Sequence, residues 1–424
     1  MKILCVCQYF WPESVRVNDL CLGLKEQGHD VTVLTGIPNY PAGKFYEGYG
    51  WLKNRHQAWQ GINIIRASLI PRGKSKSLNL IMNYLSFVFF GLLTALRLTI
   101  SRQRFDVIFV YQLSPITMAI PAIILKRILG LPMVLYVLDL WPDSLRVAKA
   151  IDIKGMFRVA QWLSMCIYKQ SDKILASSAG FIDQLISRGV LPEYLEYYPQ
   201  WAEDIYHDKQ ITISGDFEFK TEEFYIVFAG NIGEAQDFEN VINAALVLKD
   251  YKNIHLVILG DGRKKDWLEE QVKNNKLESN IHLLGRKPVE SMPSYFAKAN
   301  ALLVTLIDDA VLSLTVPAKV QSYLASGKPI IGALSGEGAK IIKQSGAGFS
   351  CAPGDADGLA NIILKIYRMS EDDRSAMGMQ GKKYVKEYFN REKLLNHLQD
   401  IFYAAVKVEA NADKLNFTKR DESC

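Results

Sequence analysis

Lys319 stands near the start of Val316-Pro317-Ala318-Lys319-Val320-Gln321-Ser322-Tyr323-Leu324-Ala325-Ser326-Gly327-Lys328-Pro329-Ile330-Ile331. The run reads as a turn, a short helix, a Gly-Lys-Pro stop and a buried strand. Ser313 and Thr315 precede it. Two hydroxyls, one ammonium and the free N–H groups of a helix start suit a diphosphate. Pro317 sets the helix start, and Lys328 is expected to cap the helix C-terminus. Upstream, the strand Tyr225–Ala229 ends in Gly230-Asn231-Ile232-Gly233, followed by a helix. Glycines at a strand–helix turn let backbone approach a pyrophosphate, although an ordinary tight turn reads the same way. The next strand ends in Gly260-Asp261-Gly262-Arg263, and a third ends in Leu283-Leu284-Gly285-Arg286. All three turns would line the carboxyl edge of one sheet, where ligands bind in such folds. The Gly285 turn can read the edge of a base, and Arg286 can stack on it, reach a phosphate or simply be solvated.

Further candidates lie elsewhere. Arg16 and Asn18 open the first helix after Pro12 and can hold an acceptor phosphate or sugar. Asp139 and Asp143 flank a Trp-Pro turn at a strand end, and Asp139 can hydrogen-bond a transferred sugar. An aspartate there is also a common turn-former. Asp355-Ala356-Asp357 spells a metal-type motif, but it follows Pro353-Gly354 and precedes a helix, so it reads as an N-cap. No histidine cluster accompanies it, and neither a metal nor a cofactor is expected.

These residues need strands and helices to place them. Ile3–Cys7, Asp30–Thr35, Ile62–Arg66, Val107–Tyr111, Val134–Leu138 and Lys173–Ala176 are strand candidates, with a helix over Ser14–Gln27 stopping at Gly28. The pattern restarts with strands at Tyr225–Ala229, His255–Leu259, Ile281–Leu283, Ala301–Thr305 and Pro329–Ile331. Helices Phe238–Asp250, Asp266–Asn275, Ser291–Ala299 and Asp357–Met369 lie between them. Alternation of this kind predicts α/β architecture with two doubly wound parallel sheets. The domains are expected at 1–200 and 201–389, linked by the polar stretch 199–222. A C-terminal helix and polar tail, 390–424, return toward the first domain.

The 424 residues are too many for one ordinary core, and 49% hydrophobic with 22% charged residues excludes wholesale disorder. The net charge of +5 is uneven. Between Trp51 and Gly130 stand eleven Lys and Arg and one acid, Asp106, a local balance of +10. That region calls for an anionic partner, lipid headgroups or a phosphorylated ligand. It contains Leu80–Leu96, seventeen residues without a charge. Asn83, Ser86, Gly91 and Thr94 interrupt the run, and a crossing would split one sheet across the bilayer. It reads as a helix packed in the domain or dipping into the membrane interface, flanked by Arg72, Lys74, Lys76, Arg97, Arg102 and Arg104. The six cysteines are scattered and read as reduced core residues of a cytosolic protein.

The second half resembles the nucleotide-binding domain of retaining glycosyltransferases of the GT-B fold, in family 4. "LCLGLKEQGHDVTVLTG" (20–36), "VLDLWPDS" (137–144) and "SDKILASS" (171–178) extend the resemblance over nearly the whole chain. "YFWPE", "GNIGEAQ" and "VPAKVQSYLASGKP" are similar to O-antigen and colanic-acid transferases, especially those of the N-acetyl-L-fucosamine type. The resemblance implies two Rossmann-like domains facing a cleft. The C-terminal one would hold a nucleoside-diphosphate sugar, UDP-linked, through Gly230, Asn231, Gly233, Gly260, Gly285, Arg286, Ser313, Thr315, Pro317 and Glu337. Lys319 and Asp139 would be catalytic. The acceptor, a polyprenyl-diphosphate-linked saccharide, would lie on the N-terminal domain near Arg16 and Asn18. The enzyme would sit peripherally on the cytoplasmic face of the inner membrane, with no nucleic-acid partner.

Three departures stand out. The family's two glutamates eight apart are Leu314 and Ser322 here, so the ribose loses its usual partner, with Glu337 a substitute or an exposed loop acid. The usual Arg and Lys after the glycine turn are Asn231 and Gln236, and the usual His is Leu138. A sugar-nucleotide epimerase of the same architecture and a non-catalytic scaffold are the competing readings.

Overall fold

The computed structural model describes residues 1–73, 77–101, 103–144, 154–202, 204–206 and 217–421. Lys74, Lys76, Arg102 and part of the 199–222 stretch lie outside them. The chain divides into two compact units. One comprises Met1–Ser177, Phe181–Tyr198 and Glu392–Cys424, and the other Ser178–Gly180 and Pro199–Arg391.

Among the described residues the first unit holds an eight-stranded sheet of order β3-β4-β2-β1-β5-β6-β7-β8. The strands are β1 (Lys2–Val6), β2 (Asp30–Gly36), β3 (His56–Trp59), β4 (Ile62–Ala67), β5 (Val107–Gln112), β6 (Met133–Val137), β7 (Lys173–Ala176) and β8 (Leu195–Tyr197). Only β3 is antiparallel to its neighbour. The central strands are buried on both faces, which explains their continuous apolar runs. Helix α1 (Val17–Glu26) starts three residues later than expected. Residues 14–16 stay outside it, at the end of a loop that is tied to the helix: Phe10 N–H donates to Glu13 Oε2 (3.2 Å), and Trp11 N–H donates to Asn18 Oδ1 (2.9 Å).

Helix α2 (Ser77–Ile100) is longer than the charge-free run and is turned inside out. Asn83, Ser86 and Thr94 are buried, whereas Leu78, Met82, Leu85, Phe89, Leu93 and Leu96 are exposed. The inward groups are used: Asn83 Oδ1 accepts from Gln8 Nε2 (2.8 Å), and Ser86 Oγ accepts from Ile70 N–H (2.8 Å). Gly91 lets α3 (Ile120–Leu129) come close; a Cβ there would lie 2.8 Å from Pro121 Cγ. The strands on either side of α2, β4 and β5, belong to the same sheet. Helices α4 (Lys154–Lys169) and α5 (Ala179–Ser187) flank β7 in sequence.

The second unit holds a six-stranded sheet of order β11-β10-β9-β12-β13-β14, parallel throughout. Its strands are β9 (Phe224–Ala229), β10 (Ile254–Leu259), β11 (Ile281–Gly285), β12 (Ala301–Thr305), β13 (Ile330–Ala333) and β14 (Gly348–Cys351). The period-two pattern of β9 divides the core. Phe224, Ile226 and Phe228 join the layer of α6 (Phe238–Val247) and α12 (Ala356–Tyr367). Tyr225 and Val227 join that of α8 (Met292–Lys298) and α10 (Ala318–Ser326). Between these lie α7 (Lys265–Asn274), α9 (Ala310–Ser313) and α11 (Gly336–Ser345), with α13 (Glu371–Tyr388) beyond.

The last helix, α14 (Arg391–Asp421), belongs from Glu392 on to the first unit. Its Leu395, Leu398 and Phe402 are buried, and the Phe402 ring meets Phe109 at 5.4 Å. Tyr198 Oη donates to Leu394 O (2.9 Å), and Gln27 Nε2 to Asn396 Oδ1 (2.7 Å). Asp355 caps α12, accepting from Gly358 N–H at 2.8 Å, as an N-cap does. Lys328 caps a different helix from the one expected: its Nζ donates to Ala297 O (2.7 Å), at the end of α8.

Candidate functional site

The order of the second sheet reverses direction between β9 and β12, and the carboxyl ends of those strands define its switch point. Gly230 follows β9 there. Its φ of +150° suits glycine, and a Cβ would lie 2.5 Å from Lys319 Cε. Gly260 is tighter, since its Cβ would lie 1.8 Å from Gly230 O. The three turns are stitched by backbone: Gly230 N–H donates to Leu259 O (2.8 Å), Gly260 N–H to Gly285 O (2.9 Å), and Ile232 N–H to Asp261 O (2.9 Å). Gly230, Gly260 and Gly285 are therefore neighbours on one edge, as their positions in sequence predict. Gly233 is buried in the same turn, while Asn231 and Arg286 are exposed.

Lys319 reaches this edge from α10. Ile307 N–H donates to Ala235 O (3.1 Å), tying the segment after β12 to the turn after β9. Tyr323 Oη, one helical turn past Lys319, accepts Ala229 N–H at 2.9 Å. The Lys319 ammonium donates to Gln236 Oε1 and lies 4.1 Å from the centroid of Phe228. Burial pushes its pKa down to about 7. The acceptor offered by Gln236 is neutral, so the charge is solvated but not neutralised. Pro317 precedes α10, and no side chain caps the helix.

Ser313, Thr315 and Glu337 gather on the other flank. A Cβ on Gly336 would lie 1.8 Å from Ser313 O, so the start of α11 abuts that segment. Ser313 Oγ donates to Ala310 O (2.9 Å) and Thr315 Oγ1 to Leu312 O (2.7 Å), leaving oxygen lone pairs for other donors. Glu337 is not an exposed loop acid: it is buried in the first turn of α11, with Oε1 2.6 Å from Lys340 Nζ. Ser322 is also buried, and its Oγ donates to Ala318 O (3.2 Å). Gln236 as the partner of Lys319, Phe228 beneath it and Tyr323 behind it were not foreseen. Gln236 alone had a signal, its position where the resemblance to family 4 implies a lysine.

Arg16, Asn18 and Asp139 lie in the first unit, at the carboxyl edge of its sheet. Asn18 is engaged at both ends, with Nδ2 donating to Glu13 O (2.7 Å) and Oδ1 accepting from Trp11. Asp139 has a carboxyl held above its ordinary value by burial, while hydrogen bonds with Ser144 and Ser114 pull it down. Asp143 is ion-paired with Arg188. The buried Glu13 was missed. Its Oε1 accepts from Asn39 and Tyr40 N–H groups, both at 2.7 Å, and burial pushes it up to about 7. Among the described residues no group of three or more His, Cys, Asp or Glu is placed to hold a metal ion.

The glycosyl transferase 4-like domain matches residues 14–201, and the glycosyl transferases group 1 family matches residues 209–384. The chain is 25% identical over 334 residues to the probable glycosyltransferase WbjE of Pseudomonas aeruginosa, covering 76% of this chain and 81% of that one. It is 25% identical over 348 residues to the putative colanic acid biosynthesis glycosyl transferase WcaI of Escherichia coli K12, covering 77% and 82%. Among solved structures, sucrose-phosphate synthase from Thermosynechococcus elongatus superposes with a TM-score of 0.70 at 15% identity, covering 96% and 99% of the two chains. Anabaena Alr3699/HepE in complex with UDP and glucose gives 0.67 at 14% identity, covering 95% and 99%. These likenesses establish the GT-B fold.

Proposed function

Since the chain belongs to the glycosyltransferases, a 4-like domain followed by a group 1 domain, we propose that it moves a sugar with retention from a UDP-linked donor to a polyprenyl-diphosphate-linked saccharide. Relatives named for colanic acid and amylovoran biosynthesis support a role in surface polysaccharide assembly. Neighbours with UDP bound support the nucleotide. The "YFWPE" and "GNIGEAQ" strings favour N-acetyl-L-fucosamine as the sugar and O-antigen or exopolysaccharide as the product. The enzyme works peripherally on the cytoplasmic face of the inner membrane, held there by the outward apolar face of α2 and the basic residues around it.

One observation carries the donor reading: a half-buried, un-neutralised ammonium laid against the glycine turn at the switch point. A diphosphate there receives the Lys319 charge and the N–H groups of α10. As the bond from C1 to the diphosphate oxygen breaks, its electron pair stays on that oxygen, where Lys319 stabilises it. The acceptor hydroxyl attacks from the same face and its proton passes to the leaving oxygen. Asp139 holds the transferred sugar. Arg286 and the Gly285 turn take the base, and Glu337 takes the ribose in place of the glutamate that Ser322 replaces. Arg16 holds the acceptor. Lys319→Ala should lower kcat by about 10²–10³ without lowering the thermal unfolding temperature, since it removes a desolvated ammonium. Full activity in that variant would remove Lys319 from the site.

A further inference from the structure

We propose that the groove between α2 and the β3–β4 hairpin is a discrete seat for the phosphate of an anionic phospholipid headgroup. It rests on the peripheral-membrane reading above and goes beyond it by pairing Arg55 with Arg97 in one walled site. Two adjoining cavities of about 730 and 350 Å³ share Arg55, Thr94 and Arg97 in their walls. Arg55 is pinned by Nε and Nη2, which donate to Arg66 O at 3.2 and 3.1 Å, and its remaining N–H groups point away from that bond. Burial, and then the charge of neighbouring Arg97, hold its guanidinium below the ordinary value. Two cations thus sit together, and no carboxylate lies among the described residues of either wall.

The rim has the opposite chemistry. Trp51 meets Phe90 edge-on at 5.4 Å, and Leu93 completes the lip. Leu52 beside them is 91% exposed. The rim continues into the exposed face of α2 through Leu85, Phe89 and Leu96. Paired arginines bordered by tryptophan, phenylalanine and leucine match an anion attached to hydrocarbon: the guanidinium forks take the phosphate oxygens and the rim meets the acyl boundary. A free phosphate would have no use for the rim. A nucleic acid would need a longer cationic track.

The test uses the full chain and sedimentation with phosphatidylcholine vesicles, with and without phosphatidylglycerol. Delocalised attraction costs about fivefold per charge removed near the surface, or about 30-fold for two. Arg104→Gln with Arg127→Gln should show that loss. Arg55→Gln with Arg97→Gln should lose at least about tenfold more, consistent with charge-assisted bonds to one phosphate. Equal losses in the two pairs would mean a diffuse field and overturn the seat. Inorganic phosphate, read by thermal shift, should not stabilise the wild type. If it does, with vesicle binding indifferent to phosphatidylglycerol, the site is one for the free ion and the proposal fails. Self-association without lipid that disappears in Leu85→Gln would give the apolar rim to a second copy and also overturn it. UDP-sugar binding by the Arg55/Arg97 variant should equal that of the wild type. A wild type that binds phosphatidylglycerol vesicles through this pair but no nucleotide sugar would sink the transferase reading and support the seat.

Discussion

Lys319 occupies a place where an ammonium is costly, and that cost is what a ligand can remove. In the unfolded chain its pKa is near the ordinary 10.5, and burial lowers it to about 7 in the fold. Between those values the folded state binds fewer protons than the unfolded one, so this lysine makes stability rise with pH from about 7 to 10.5. A bound diphosphate restores the proton. Donor affinity should therefore be level below pH 7 and fall by up to about tenfold per pH unit above it. Calorimetry in buffers of different ionisation enthalpy should register proton uptake on binding. Affinity flat between about pH 6 and 9 would show that the ammonium never meets the phosphate. Gln236 fits the same picture: a neutral amide steadies the charge without cancelling it, which a carboxylate at that position would do.

At the scale of elements, the donor edge depends on two strand ends that meet at Gly260 more closely than any side chain permits. Gly260→Ala would drive a methyl to within 1.8 Å of Gly230 O, separating the turns after β9 and β10. Donor binding should weaken by at least about tenfold, from a displaced backbone that must bind the pyrophosphate, as measured by titration. Gly130→Ala, where nothing lies within 4 Å of the added methyl but φ is +61°, should lower stability through backbone strain and leave donor binding unchanged. These turns were legible because Gly-x-x-Gly, Gly-Asp-Gly and Leu-Gly-Arg each close a clear apolar run. Other elements were not. β3 is a half-exposed edge strand whose residues, His56 to Trp59, carry no apolar run. β14 is only Gly-Phe-Ser-Cys, and α11 opens on two glycines, which read as loop. Helix α2 was recognised as apolar, but its direction was not, because an inward polar face depends on partners far away in sequence, Gln8 and Ile70. Glu13 was invisible for the same reason. Its meaning comes from Asn39 and Tyr40, on a loop from another strand.

For the whole molecule, the discontinuous first unit governs how the protein loses structure. Residues 392–424 complete that unit although all of the second unit's main segment precedes them. Each fully buried apolar side chain of α14 contributes about 1.5–3 kcal/mol, and Leu395, Leu398 and Phe402 are such side chains. Deleting 392–424 should therefore strip hydrogen-exchange protection from β1, β2 and β5 and leave β9, β10 and β12 protected. Loss confined to the second sheet would contradict the assignment of α14 to the first unit.

The return of α14 also sets a timetable for synthesis. The aromatic floor it covers, with Phe109 beneath Phe402 and Tyr198 stacked on His397, is translated long before its cover. At ordinary elongation rates the second unit's main segment, Pro199–Arg391, takes roughly 10–40 s to make. During that interval the first sheet waits on the ribosome with an open hydrophobic side, and the second unit has time to fold before the first is sealed.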